Sequence, residues 1–131
     1  MNIFEDINVG GPAFFRNNVY VYGGIEGAGG GGISLPYSAK TGAYTVTAND
    51  YVIHATTGTF TVTLPTAAGI AGKIYIIKNT GSGTVTVDGA GSETLDGVTT
   101  IRLLTGNSCI TIQSNGTNWV VIGVISPVQM V

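Results

Sequence analysis

Hydrophobic and polar residues alternate along most of the chain after residue 43. In residues 59–64, three apolar side chains fall on one face and three threonines on the other. A period of two with β-branched residues is typical of half-buried β-strands. Similar β-prone runs occupy residues 44–47, 50–55, 84–87, 98–104, 108–113 and 119–125.

Residues 73–78 differ, because they are apolar on both faces between two lysines. This pattern predicts a central strand that is covered on each side. Pro65 ends the preceding strand, and the Ala/Gly-rich residues 66–72 predict a connection with room for one helical turn. The dipeptide Asn115-Gly116 is the strongest hairpin signal in the chain, so we expect the last two long strands to be adjacent.

About eight strands, spaced roughly ten residues apart, account for residues 44–131 without a helix. The pattern predicts an all-β fold: an antiparallel β-sandwich or jelly-roll-like knob.

Residues 1–43 have a different texture and are predicted to form an extended N-terminal attachment arm. Residues 19–22 alternate like one short strand, and residues 23–32 are rich in glycine. The glycines favour a flexible tether, or a place where several backbones pack closely. The aromatic and aliphatic residues that we expect to contact a partner are Ile3, Phe4, Ile7, Phe14, Phe15, Tyr20 and Tyr22.

Charge is scarce, and this narrows the function. Charged residues make up 9% of the chain, against roughly 25% in typical domains, and the formal net charge is −2. The five basic residues are scattered, which argues against nucleic-acid binding. The longest apolar run is under half of the roughly 20 residues that a membrane helix needs, and a signal-peptide pattern is missing. We therefore expect a soluble protein with neither nucleic acid nor membrane as a partner.

The single histidine and single cysteine leave little scope for catalysis. A Ser/His/Asp or Cys/His unit would need His54, which lies in a predicted strand and is expected to be structural or at the surface. A metal bound by three copies of His54 at a threefold axis is the alternative. Cys109 is expected to be an inert, partly buried thiol and cannot form an internal disulfide. We predict neither enzyme activity nor a cofactor.

Asp88, Glu93 and Asp96 cluster in one loop, and each of the two aspartates is followed directly by a glycine. Solvated turns are the simpler interpretation, while a calcium site or a carboxylate pair for glycoside hydrolysis would use the same residues. Trp119 is expected in the core, with a sugar-stacking role as the alternative. If the loops bind host glycan, the contacts would come from Asp88, Glu93, Asp96, Asn115 and Asn118.

Weakly charged strand edges and a small body suggest that copies of the chain associate. Edge strands without charge invite pairing unless an assembly covers them. We therefore expect a closed homo-oligomer.

Several segments, taken together in order, resemble a known domain. They are residues 44–53, 59–66, 71–79, 84–97 and 115–122, with sequences such as TFTVTLPT, AGKIYIIKN and NGTNWVVI. This succession resembles the small β knob domain of tailed-bacteriophage fibre, spike and head-decoration proteins. The resemblance implies a virion structural protein, usually a homotrimer, that is displayed on the virion surface after assembly in the host cytoplasm and has no enzyme activity.

Arm and knob together favour a capsid decoration or cement protein, or a head-fibre knob. In this interpretation the arm binds the major capsid protein or another virion protein, and the knob projects. The alternative is the receptor-binding tip of a tail fibre or tail spike that contacts host surface glycan.

Overall fold

Ten β-strands form the framework of residues 33–131, the part of the chain that the computed structural model describes. No helix occurs among these residues, and thus none that could cross a membrane. The strands are β1 (Tyr37–Lys40), β2 (Tyr44–Thr45), β3 (Val52–Ala55), β4 (Phe60–Thr63), β5 (Ile74–Asn79), β6 (Val85–Asp88), β7 (Thr100–Leu103), β8 (Ser108–Ser114), β9 (Trp119–Ile125) and β10 (Val128–Met130).

Two five-stranded sheets pack into a sandwich. The first sheet has the order β1-β3-β5-β8-β9, and the second has the order β10-β7-β6-β4-β2. Strands β1 to β6 alternate between the sheets, so each pairs in parallel with the strand two places away in sequence. Strands β7 to β10 then add to both sheets by antiparallel pairing.

The predicted all-β sandwich is confirmed, but strand direction differs from the antiparallel expectation in the first half of the fold. The connections after β3 and β5 are short enough for hairpins, yet each leads into the opposite sheet. Alternation of side chains determines which face is buried and carries no information about the direction of the neighbouring strand.

The turns after β3 and β5, which carry the chain from one sheet to the other, are packed closely against each other. A Cβ atom on Gly83 would lie 2.2 Å from the carbonyl oxygen of Gly58, and one on Gly81 would lie 2.8 Å from Cα of Thr57. Only glycine allows backbones to approach so closely. Buried Asn79 joins the same region, because its Nδ2 donates to the carbonyls of Gly83 (2.8 Å) and Leu103 (2.9 Å) while its Oδ1 accepts from Gly81 N (3.0 Å).

The core lies between the inner faces of the two sheets. Tyr75 and Trp119 are its largest side chains, with ring centroids 5.6 Å apart. Each fully buried aliphatic side chain stabilises the fold by about 1.5–3 kcal/mol. The other fully buried large side chains are Ile53, Val62, Leu64, Ile77, Val85, Leu95, Ile101, Leu103, Ile110 and Ile112.

Several local predictions can be compared with the structure. β5 is the central strand of its sheet, and β8 pairs with β9 across residues 115–118, as predicted. The expected cover on both faces of β5 is wrong, because its side chains alternate between buried and half-buried. The connection 66–72 contains two successive turns instead of a helical turn. β1, which lies in the segment assigned to the arm, pairs with β3, so the first sheet begins before residue 44. The strand predicted at residues 19–22 lies outside the described residues.

Candidate functional site

The outer face of the first sheet is apolar across most of its width. Register places Tyr37, Val52, Ile76 and Thr111 in one row, because each is the partner of the next across four strands. A second row joins Ile74, Gln113 and Val120. We call the outward side chains of Tyr37, Val52, Ile74, Ile76, Val120 and Ile125 the apolar face.

No other element within residues 33–131 covers the apolar face. Tyr37 and Ile125, on the two edge strands, are 62% and 56% exposed, which is high for large hydrophobic side chains, whereas Val52, Ile74 and Ile76 between them are half-buried. Lys78 is the only charged side chain among the outward positions of the paired rows, and its Nζ donates to the carbonyl oxygen of Asn107 (2.6 Å). A continuous apolar surface of this kind is typical of an interaction site.

The second sheet shows the opposite character on its outer face. One row of partners is Thr45, Thr63, Asp88 and Thr100. The other row is Thr61, Thr86, Arg102 and Gln129. We call this the threonine face, and its composition is that of a surface in contact with water.

Strand β9 continues the apolar face to the edge of the first sheet. It has seven residues and no charged side chain. Its edge away from β8 is partly occupied, because the N–H of Trp119 donates to the carbonyl oxygen of Thr94 (2.9 Å) and the N–H of Val121 donates to Asp96 Oδ1 (3.0 Å). Its side chains Val120, Ile122, Val124 and Ile125 are all exposed. The other edge strands, β1, β2 and β10, have four, two and three residues. Residues 122–125 lie beyond these contacts, and an uncharged strand edge of this kind is a site for pairing with another chain.

His54 lies on the outer side of the first sheet, where both ring nitrogens have partners. Nδ1 is 2.6 Å from the hydroxyl of Tyr37, and Nε2 is 2.7 Å from Oγ1 of Thr80. The two rings meet edge to face, with centroids 5.8 Å apart. These contacts fit the structural role predicted for His54 and join β1, β3 and the residue after β5.

Cys109 shares a row with His54 and Lys78. It is 9% exposed, and burial raises the pKa of its thiol, an effect that Lys78 only partly opposes. The thiol is therefore protonated at neutral pH, which fits the inert cysteine that the sequence predicts.

Loops from both sheets converge at one end of the sandwich, which we call the loop end: residues 47–51, 64–73, 89–99 and 115–118. Asn118 Oδ1 accepts from the backbone N–H of Thr94 (2.8 Å), which joins two of these loops. Asn115 Oδ1 accepts from the N–H groups of Thr117 (3.0 Å) and Asn118 (2.8 Å) and closes its own turn. Both asparagines thus use their side-chain oxygens within the knob.

The acidic residues of the loop end also bind the knob's own groups. Glu93 accepts from the N–H of Ala67 (2.8 Å) and from the hydroxyl of Thr66 (2.5 Å). Asp96 accepts from the N–H of Val121 (3.0 Å). Asp96 and Gly97 have φ values of 50° and 88°, which form the two-residue turn between Leu95 and Val98. Asp88 lies apart, on the threonine face.

Residues 33–131 contain no group of three or more His, Cys, Asp or Glu side chains arranged to hold a metal ion. Trp119 is 1% exposed, which places it in the core and leaves no ring face for a sugar. The loop end therefore brings four of the five predicted glycan-contact residues to one region without forming a metal site there.

A shallow cavity of about 210 Å³ also opens at the loop end, and sequence reasoning missed it. Lys73 donates from Nζ to the carbonyl oxygen of Ala48 (2.9 Å) across its rim. The lining comes from separate loops, so no local motif marks it: Ala48, Pro65, Thr66, Ile70, Lys73 and Tyr75.

Asp50 is a buried carboxylate that the sequence also did not single out. Its oxygens accept from the hydroxyl of Tyr44 (2.7 Å) and from both the N–H (2.8 Å) and the hydroxyl (3.0 Å) of Thr47, with Ser38 more distant at 3.4 Å. Burial acts to raise its pKa, but these hydrogen bonds outweigh burial and lower the pKa below its ordinary value.

The predicted arm contacts Ile3, Phe4, Ile7, Phe14, Phe15, Tyr20 and Tyr22 lie outside the described residues. Comparison of the whole chain with protein-family models and with curated proteins produced no match to either.

Proposed function

We propose that this protein is a bacteriophage virion structural protein: an oligomeric capsid decoration or cement protein, or a head-fibre knob. Its arm, through Phe4, Phe14, Phe15 and their neighbours, binds the major capsid protein or another virion protein. Each phenylalanine that is fully desolvated contributes about 1.5–3 kcal/mol to binding. The knob, assembled as a homotrimer, projects from the virion surface.

The contrast between the two outer faces of the sandwich is the observation that supports an assembly role most strongly. A sheet that is bordered by water carries threonine and charged residues, as the threonine face does. The apolar face carries valine, isoleucine and tyrosine at the equivalent positions. A protein with one such face is suited to being covered by other protein.

The polar groups of the described residues support a structural role. Glu93, Asp96 and His54 each hydrogen-bond to groups of the knob itself. A catalytic group has to reach a substrate atom, whereas these side chains hold loops and strands in place. The proposal includes no enzyme activity, cofactor, nucleic acid or membrane.

A receptor-binding tip of a tail fibre or spike is the second candidate function. It is favoured by the loop end, where Glu93, Asp96, Asn115 and Asn118 lie on converging loops and Glu93 binds Thr66, a residue that lines the cavity. Adsorption of purified protein to host cells, or competition with infection, would support this alternative over a capsid-bound role.

Deletion of residues 1–22 tests the leading proposal. We expect the truncated protein to retain the β-sheet circular dichroism of the full chain and to be lost from purified particles. A full-length chain with Phe4, Phe14 and Phe15 replaced by alanine should show the same loss, and replacement of exposed Thr45 by alanine should not. Truncated protein that still decorates particles would contradict arm-mediated docking.

A further inference from the structure

We infer that the apolar face is the surface through which copies of this chain bind one another. The inference rests on the proposed function for the statement that copies assemble. It adds the surface that they use and the occupant, a second copy of the chain.

The lack of charge on the rows of the apolar face favours a second copy of the chain as the occupant over a partner with a charged surface. The two rows that span the apolar face hold uncharged side chains, Tyr37, Val52, Ile76 and Thr111 in one and Ile74, Gln113 and Val120 in the other. A charged partner surface would lose its water here without gaining a counter-charge. An identical face brings no ion against these two rows, and the ammonium of Lys78 in the adjoining row already donates to the carbonyl oxygen of Asn107.

Size is the second argument. Strands lie about 4.8 Å apart and rise about 3.3 Å per residue, so five strands and the length of β5 span roughly 24 by 20 Å, or about 480 Å². Two such faces together have a flat area of about 960 Å², which does not include the additional surface of side chains that protrude from the sheet. A biological interface should exceed about 1,000 Å², so this flat area lies at the lower limit and the exposed side chains of β9 have to contribute to a stable contact.

The edge strand β9 extends this surface. It has seven uncharged residues. Its exposed Val120 and Ile125 belong to the apolar face, and its exposed Ile122 adjoins that face. Contact between copies that includes β9 would remove from water the part of this edge, residues 122–125, that lies beyond the contacts of residues 94–96 with Trp119 and Val121. The same association therefore covers both the apolar face and the edge at its border.

The test compares one charge on each outer face of the full chain. Ile76 lies on β5, the central strand of the first sheet, and Thr86 lies on β6, the central strand of the second. We expect the wild-type mass in solution to be a multiple of 13.4 kDa, and about three times that value for a trimer. Ile76→Glu should raise the dissociation constant at least about 30-fold, since unpaired interfacial charge costs 2 kcal/mol or more.

Thr86→Glu is the matched control and should leave the mass unchanged, because its glutamate faces water beside Arg102. Circular dichroism reports whether each variant is folded. Should Ile76→Glu not fold, Val120→Glu on the exposed part of the same face replaces it. Footprinting of the wild type also tests the proposal without mutation, since dilution should increase labelling of the apolar face and not of the threonine face.

Three results would overturn the inference. The first is a wild-type mass of 13.4 kDa at high micromolar concentration, which is the mass of a monomer and would mean that a second copy does not cover the face. The second is equal weakening by the two glutamates, and the third is footprinting that changes equally on both faces. All are solution measurements, so they separate failure of this interface from failure of arm-mediated docking on particles.

Discussion

Two buried polar residues, Asn79 and Asp50, hydrogen-bond to turns and strand ends that are not held by strand pairing alone. Asn79 connects the end of β5 to the turn before β6 and to the end of β7. Asp50 holds the turn at Thr47 and the hydroxyl of Tyr44 on β2. All the hydrogen-bond partners of both side chains are neutral backbone or hydroxyl groups, and those of the Asp50 carboxylate include no cation.

Replacement of Asn79 by alanine should destabilise the knob by about 2–4 kcal/mol. The change leaves the buried N–H of Gly81 and the buried carbonyl of Leu103 without their partner, and such groups cost about 1–3 kcal/mol each when orphaned, while the carbonyl of Gly83 is only half-buried and costs little. Urea unfolding measures the loss. Asn49→Ala is the control, since Asn49 is exposed and should change stability by no more than about 0.5 kcal/mol. Equal effects of the two substitutions would refute this role for Asn79.

Stability should fall in acid through Asp50. Its pKa is lower in the folded than in the unfolded chain, so ionised Asp50 stabilises the fold above its ordinary pKa of 3.8. That contribution disappears as pH falls through the folded-state pKa. Asp50→Asn should lower the melting temperature at pH 7 and flatten its decline between pH 5 and pH 2.

Tyr44→Phe tests the cause of this pH dependence, because it removes the hydroxyl that donates to Asp50 at 2.7 Å. We expect the acid transition to move to higher pH, since a lost hydrogen bond to the carboxylate raises its pKa. Tyr51→Phe is the control and should leave the transition in place, because the Tyr51 hydroxyl is not among the hydrogen-bond partners of Asp50. An Asp50→Asn chain with the wild-type pH profile would contradict the assignment.

At the scale of elements, the crossings between sheets distinguish this fold from a simple meander. The turns after β3 and β5 stack so closely that Gly58 and Gly83 meet backbone to backbone. Their stacking is what lets β1, β3 and β5, and likewise β2, β4 and β6, run in parallel.

Gly83→Ala should therefore cost more than about 3 kcal/mol or prevent folding, because its Cβ would lie 2.2 Å from the Gly58 carbonyl oxygen. Gly42→Ala is a matched control in the turn between β1 and β2, where a Cβ meets no atom within 4 Å. Thermal unfolding compares the two variants. A Gly83→Ala chain as stable as the Gly42→Ala chain would show that the turns do not stack as described.

Sequence periodicity predicted the strands better than their partners. The alternation in residues 59–64 identified β4 and its buried face, and Asn115-Gly116 identified the β8–β9 hairpin. Parallel pairing could not be predicted, because a connection of four or five residues can fold back or cross to the opposite sheet. The glycines at 58, 81 and 83 were the only local sign of the crossing.

The candidate site was less predictable than the strands. Glu93, Asp96, Asn115 and Asn118 were identified as loop residues, but their hydrogen bonds to distant backbone groups depend on the packing of several loops. Ile76 was recognised as part of an apolar strand and expected to be covered on both faces. That its outer face has no cover within residues 33–131 follows only from the arrangement of the sheets.

At the scale of the whole molecule, the knob has one face suited to water and one suited to protein. The apolar face holds large hydrophobic side chains, whereas the threonine face carries threonine and charged side chains and the polar side chains of the loop end bind backbone groups of neighbouring loops. We propose that this division of surfaces, with an arm that docks on the shell, underlies display of the knob on a virion.

Electron microscopy of purified particles tests this proposal most directly. We expect density for the knob outside the shell, with apolar faces of neighbouring copies in mutual contact, threonine faces toward solvent, and the arm leading to the particle. Particles of the same phage without knob density, or knobs whose apolar faces point into solvent while their threonine faces are buried, would contradict it.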